Sequence, residues 1–175
     1  GDVYKRQDEL TAVAAPCQKA GKMIAAHIRS DAEEVFDAGR ELMETGKLLH
    51  IPVEISHIGS MAGFGQMERF LNMVDAYKMN GLDVSCDCYP YYAFSTHLGS
   101  TTYDDGWTER YGCGYDVLEL CEGKYKGQRC TKEIFDEERI NNPNCITVCY
   151  VMKDSDGKIR LIDFGSALEA HTPVT

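Results

Sequence analysis

What most restricts the fold of this chain is a change of hydrophobic period that recurs between residues 23 and 89. Met23-Ile24-Ala25-Ala26-His27-Ile28 is a short apolar run without alternation, the pattern of a strand buried on both faces of a parallel sheet. Ser30-Asp31-Ala32-Glu33 has the spacing of a capping box, in which Ser30 accepts from the Glu33 N–H and Glu33 reaches back. A helix is expected from there, with Val35, Ala38 and Leu42 on one face and an end near Gly46. The pattern then returns. Pro52-Val53-Glu54-Ile55-Ser56-His57-Ile58 reads as a strand, and a loop with Gly59, Gly63 and Gly65 leads to a helix carrying Phe70, Leu71, Val74 and Tyr77. Gly81 stops it, and Leu82 to Tyr89 reads as a third strand. Strand, helix, strand, helix, strand is βαβαβ, so the fold class is α/β with a parallel sheet and right-handed crossovers.

The flanks lack this rhythm. Residues 8–20 predict a short helix closed by Gly21, whereas residues 1–7 carry neither helical nor strand pattern and read as a non-native tail. Residues 92–140, rich in Tyr, Gly and charge, read as an irregular insertion with one short helix near Tyr115 to Cys121. Asn144 to Met152 reads as a strand, Lys153 to Lys158 as a turn, and Ile159 to Phe164 as a second extended run. The chain stops in a loop at residue 175, as a truncated domain would.

Charge and cysteine usage narrow the function classes. With 18 basic against 28 acidic side chains the net charge is −10, so no basic face can neutralise a run of phosphates; nucleic acid and anionic membrane are poor partners. No stretch approaches about 18 consecutive apolar residues and residues 1–8 hold no signal-peptide core, which makes the cytoplasm the expected location. There are eight cysteines. Without an export signal, and with Cys86, Cys145 and Cys149 in apolar runs, they read as buried thiols; neither Cys86-x-Cys88 nor Cys145-x₃-Cys149 has zinc-knuckle spacing.

Two histidines carry the strongest chemical signal. His27 and His57 lie 30 residues apart, each at the carboxyl end of a predicted strand. Parallel strands bring those ends to one rim, where α/β folds bind ligands, and two imidazoles on neighbouring strand ends can reach one metal ion. The alternative is a pair of core histidines, each held by a local hydrogen bond. The metal reading requires the two rings within about 5 Å of each other on one rim.

Ala26-His27-Ile28-Arg29-Ser30, Glu54-Ile55-Ser56-His57 and Asp87-Cys88-Tyr89-Pro90-Tyr91, with Ser95 and Thr96 behind, together resemble the D-aminoacylase (N-acyl-D-amino-acid deacylase) branch of the amidohydrolase superfamily, over about residues 8 to 100. The resemblance implies part of a TIM (β/α)₈ barrel, about strands 5–8, built from residues 8–91, with the insertion before a last strand in residues 141–175. It implies hydrolysis of an N-acyl-D-amino acid, a small-molecule substrate, with His27 and His57 as zinc ligands and the remaining ligands upstream of this chain. Tyr89 and Ser95 match substrate-holding positions, and Arg29, beside the metal rim, is expected to bind substrate with them. The family's proton-transferring aspartate corresponds to Asp156, in Ser155-Asp156-Gly157, or to Asp163 at another strand end. Where family members often carry a carboxylate-anchoring lysine, two residues after the second histidine, this chain has Gly59.

Two other classes are open on the same residues. Asp163-Phe164-Gly165 looks like the magnesium-binding segment of a protein kinase, but no Gly-rich loop, strand lysine or catalytic-loop aspartate accompanies it. A non-catalytic α/β binding domain would use Tyr91, Tyr92, Phe94, Tyr103 and Trp107 as a contact surface; the competing expectation is that these aromatics pack the insertion. Oligomeric state is not legible.

Overall fold

The structure, a computed structural model, describes residues 2–89, 91 and 93–150, with side chains from Gln7 onward. Helix α1 runs Asp2–Ala20, so residues 2–7, expected to carry no helical pattern, extend the predicted helix by nearly two turns. The extension is anchored: Gln7 Nε2 donates to Thr45 Oγ1 at 2.5 Å and to the Glu41 carbonyl at 3.3 Å. Strand β1 (Ile24–Ala26), helix α2 (Val35–Leu49), strand β2 (Val53–Ile55), helices α3 (Ile58–Ala62) and α4 (Met67–Met79) and strand β3 (Val84–Cys86) then follow in the expected order. The three strands form a parallel sheet in the order β1-β2-β3, with Ile24 opposite Val53 and Val53 opposite Val84.

Three local expectations are corrected. The capping box does not form: Asp31 is the N-cap of a 3₁₀ turn at Ala32–Glu34, no side chain caps it, and Glu33 bonds to Gln66 Nε2 at 3.0 Å instead. Helix α2 continues past Gly46 to Leu49, because His50 in the left-handed region (φ 52°) supplies the C-cap. Gly46 serves packing instead, since a Cβ there would lie 2.2 Å from Val53 Cγ2. The glycine-containing loop after His57 holds a short helix, α3, whose Ile58, Met61 and Ala62 are buried.

Helices α2 and α4 cover one face of the sheet, where Val35, Leu42, Val53, Ile55, Phe70, Val74, Val84 and Cys86 make the first core. The other face is not the buried surface expected of these strands. Ala25, Glu54 and Ser85 share one register row there, Ala25 and Ser85 are exposed, and Ser85 Oγ donates to Glu54.

Residues 94–149 build a second layer. Strands β4 (Phe94–His97), β5 (Leu118–Leu120) and β6 (Ile146–Cys149) form an antiparallel sheet in the order β4-β6-β5, accompanied by helices α5 (Trp107–Tyr111) and α6 (Lys132–Asn141). This changes two readings. The single helix expected at residues 115–121 is a 3₁₀ turn followed by β5, and the helices lie elsewhere. The strand expected at 144–152 is present as β6, but it pairs antiparallel with β4 and β5, and is not a fourth strand of the parallel sheet. Leu98, Tyr103, Trp107, Tyr111, Leu118, Leu120, Phe135 and Cys149 form a second core. Phe94, Tyr103 and Trp107 are therefore packing residues; Tyr91 is exposed, and Tyr92 lies outside the described residues. No disulfide joins any of the eight cysteines; Cys86, Cys130, Cys145 and Cys149 are buried, as expected, whereas Cys17, Cys88, Cys113 and Cys121 are half-buried. Among the described residues no helix is long and apolar enough to cross a membrane.

Candidate metal and substrate site

His27 follows β1 directly and His57 comes two residues after β2, so the parallel register brings both to one rim. His27 Nδ1 and His57 Nε2 face each other at 2.9 Å, with ring centroids 4.6 Å apart, inside the separation the metal reading requires. His57 holds a left-handed backbone (φ 40°, ψ 51°) at the start of α3. An L-residue adopts that conformation only at a cost, which is offset here by its N–H donating to Asp87 Oδ1 at 2.6 Å, a carboxylate just past the end of β3. All three strands thus contribute to the rim. Ser60, one turn into α3, lies 3.0 Å from His57 Nδ1 and 3.0 Å from the His57 carbonyl.

The rim opens into a cavity of about 960 Å³ between the two layers, lined among others by His27, His57, Ser60, Tyr89, Ser95 and Arg110. Partial burial and the neighbouring His57 lower the pKa of His27, against an opposing pull from Asp31, so its imidazole is neutral and available as a ligand at neutral pH. Burial pushes the Tyr89 phenol up to about 12, with Cys88 adding to the rise and a hydrogen bond with Ser60 opposing it. Tyr89 therefore stays a neutral hydrogen-bonding group.

Five of the seven sequence-predicted site residues line this one cavity: Arg29, Tyr89, Ser95, His27 and His57. Arg29 does so with its guanidinium gripped by Glu41, at 2.5 Å through Nε and 2.9 Å through Nη2. Ser95 Oγ donates to the Thr147 carbonyl at 2.9 Å, which leaves its lone pairs facing the cavity as acceptors. Asp156 and Asp163 lie outside the described residues, as does the whole Asp163-Phe164-Gly165 segment. At Gly59, where the resemblance implied a lysine, a Cβ would come within 2.6 Å of Cys88 Sγ, so there is no room for a side chain while Cys88 stands where it does.

Sequence reasoning missed Ser60, Asp31, Arg110 and Tyr111. Only Ser60 carried a signal, its i+3 spacing from His57 on a helix. Arg110 and Tyr111 arrive from α5, 80 residues after Asp31: Tyr111 donates its hydroxyl to Asp31 Oδ2 at 2.5 Å, and Arg110 Nε lies 3.3 Å from Asp31 Oδ1. These contacts tie the second layer onto the rim.

The histidine pair suits zinc. Imidazole nitrogens are good zinc donors, and the 2.9 Å between the two is near the roughly 3.3 Å that separates two ligands of one tetrahedral ion. Among the described residues no third His, Cys, Asp or Glu completes a cluster around them.

No protein-family model matches the chain. Over 93 residues it is 36% identical to the D-aminoacylase of Alcaligenes xylosoxydans xylosoxydans, which is 52% of this chain and 19% of that protein. Among solved structures, a D-aminoacylase described as defining a novel subset of amidohydrolases matches with a TM-score of 0.63 at 23% identity. The N-acyl-D-glutamate deacylase of Bordetella bronchiseptica, complexed with zinc and a phosphonate mimic of the tetrahedral intermediate, matches with a TM-score of 0.64 at 21% identity. Each alignment covers 86% of this chain and 32% of the solved one, and at such identities the likeness is one of fold. The chain thus spans less than a third of the length of these relatives, and its similarity falls on the D-aminoacylase branch of the amidohydrolases, as the three strand-end motifs implied.

Proposed function

We propose that this chain, related over part of its length to the D-aminoacylases, is a portion of a zinc-dependent amidohydrolase that cleaves the amide of N-acyl-D-amino acids. The observation that carries the reading is the His27–His57 pair, 2.9 Å apart at the carboxyl ends of adjacent parallel strands and open to a cavity with Tyr89 and Ser95 on its wall. In this reading β1 to β3 are consecutive strands of a partial TIM barrel, about strands 5–7, and the antiparallel layer is the insertion that roofs the site.

His27 and His57 would hold the zinc. The ion, when bound, supplies a Lewis acid for the amide carbonyl and lowers the pKa of water to about 7. The chain's own residues do the rest. Tyr89, neutral through the physiological range and hydrogen-bonded to Ser60, presents its phenol oxygen to the substrate from the cavity wall. Ser95, its proton committed to Thr147, accepts from a substrate N–H. Arg29 is neutralised by Glu41 and so holds the α2 end of the rim in place more than it offers charge to a substrate. Proton transfer to the leaving amine would fall to Asp156 or Asp163. The substrate is a small molecule, and the net charge of −10 disfavours nucleic acid and anionic membrane as partners.

Zinc titration against a competing chelator tests the reading. One zinc is expected per chain, with affinity reduced more than tenfold in both His27→Ala and His57→Ala; zinc binding that neither substitution changes refutes it. The 175-residue chain is expected to turn over little or no N-acyl-D-amino acid even with zinc, since two protein ligands fall short of the three that catalytic zinc uses. Full turnover would overturn the partial-barrel part of the proposal.

A further inference from the structure

The Ser60 hydroxyl has two partners on one residue, His57, beside its bond to the Tyr89 phenol, and the chemistry of those partners favours one placement of the hydrogens. Its Oγ lies 3.0 Å from the His57 carbonyl oxygen and 3.0 Å from His57 Nδ1. A carbonyl oxygen only accepts, so all of these contacts are hydrogen bonds at once only when the single Ser60 hydrogen points at it. The bond to Nδ1 then exists only if His57 donates, which puts the ring proton on Nδ1. His57 Nε2 is left bare, on the side facing His27 Nδ1 across 2.9 Å. That contact in turn needs the His27 proton on Nδ1 when no ion lies between the rings. The other assignment, with Ser60 donating to Nδ1, forfeits the carbonyl bond and turns the Nε2 proton of His57 toward His27.

We propose that Ser60 is a positioning residue for His57: by donating to the His57 carbonyl and accepting its Nδ1 proton, it fixes the tautomer whose bare Nε2 lone pair points at His27. Ser60 is the third residue after His57, which opens the short helix α3 in a left-handed conformation. Ser60 also lines the cavity and bonds to the Tyr89 phenol, so the same hydroxyl joins the metal-facing wall to the substrate-facing wall. The tautomer statement concerns this chain alone; its value to catalysis rests on the function proposed above.

Two-bond proton–nitrogen correlation spectra of the ¹⁵N-labelled chain, recorded above the imidazole pKa, read the tautomer directly. The wild-type spectrum is expected to show His57 protonated at Nδ1 with Nε2 bare. Ser60→Ala should shift His57 to a mixture or to the Nε2–H form, and Ser60→Thr, which keeps the hydroxyl, should retain the wild-type pattern. Zinc affinity should fall about tenfold or more in Ser60→Ala and recover in Ser60→Thr, the range expected when the partner that orients a ligating histidine is lost. A wild-type His57 protonated at Nε2, or a Ser60→Ala spectrum identical to wild type, overturns the proposal, and the first needs no variant to fold. If the wild-type chain has the expected tautomer but binds no zinc, the functional reading fails and the role of Ser60 in fixing the ring stands.

Discussion

Gly46→Ala puts the packing that positions His57 to a quantitative test. On helix propensity alone the substitution is favourable by about 1 kcal/mol, because Gly46 lies inside α2 and alanine is the better helix former. The structure argues the opposite sign. The new Cβ would sit 2.2 Å from Val53 Cγ2, with the Ile51 carbonyl at 3.1 Å and Leu82 Cδ1 at 3.4 Å. Val53 is fully buried on the central strand, and a β-branched side chain in a strand has little rotamer freedom to escape. Relief therefore requires α2 to move off β2, which places the overpacking at the upper end of its usual range, about 3 kcal/mol. The net expectation is a loss of about 2 kcal/mol. The control is the same substitution in a Val53→Ala background, where the offending methyl is gone and only the Ile51 carbonyl must give by a few tenths of an ångström; the cost there should fall below about 0.5 kcal/mol. Urea denaturation of the four chains, followed by circular dichroism, gives the cycle, with an expected coupling of about 2 kcal/mol between the sites. Equal effects of Gly46→Ala in both backgrounds, or stabilisation of the wild-type chain, would refute the argument that α2 rests on β2 through this contact.

Tyr111→Phe removes the hydroxyl that ties α5 to Asp31 at 2.5 Å and should cost about 1.5 to 3 kcal/mol in the same denaturation assay, the range for a hydrogen bond to a charged group. A cost under about 0.3 kcal/mol would mean that the second layer does not rest on the rim through this bond. Burial pushes the thiols of Cys86 and Cys130 up to about 12 and about 11. Native-state alkylation at pH 8 should therefore leave both unmodified, with the full count of eight reached only after denaturation. Because these two groups keep their protons in the folded chain above the unfolded thiol pKa of about 8.5, their contribution to stability is complete below that pH and is lost as pH rises toward 11 to 12. Rapid modification of Cys86 at pH 8 in the folded chain would contradict its burial.

The sequence by itself determined the parallel half of this protein and the histidine pair within it. The period of the apolar residues from 23 to 89 is set by the strand and helix geometries themselves, and equal placement of His27 and His57 in successive units brings them to one rim whatever the details of the loops. Local chemistry was less decisive. Ser30 and Glu33 have capping-box spacing, yet Asp31 takes the N-cap position and Glu33 turns to Gln66, a partner that arrives 33 residues later. The helix at Ile58–Ala62 has no local signature because it is short and buried, and packing holds it where propensity would not. Only tertiary structure decided the second layer. β4 and β6 are separated by about fifty residues, and no local pattern tells a strand whether its partner is the parallel sheet behind it or a hairpin-like neighbour ahead. The pairing follows from burying Phe94, Leu118, Thr147 and Cys149 in one core. The same holds for the residues that complete the site. Ser60, Asp31, Arg110 and Tyr111 acquire their roles from where the folded chain brings them, and a hydroxyl or guanidinium in sequence says nothing about the partner it will meet across the cavity.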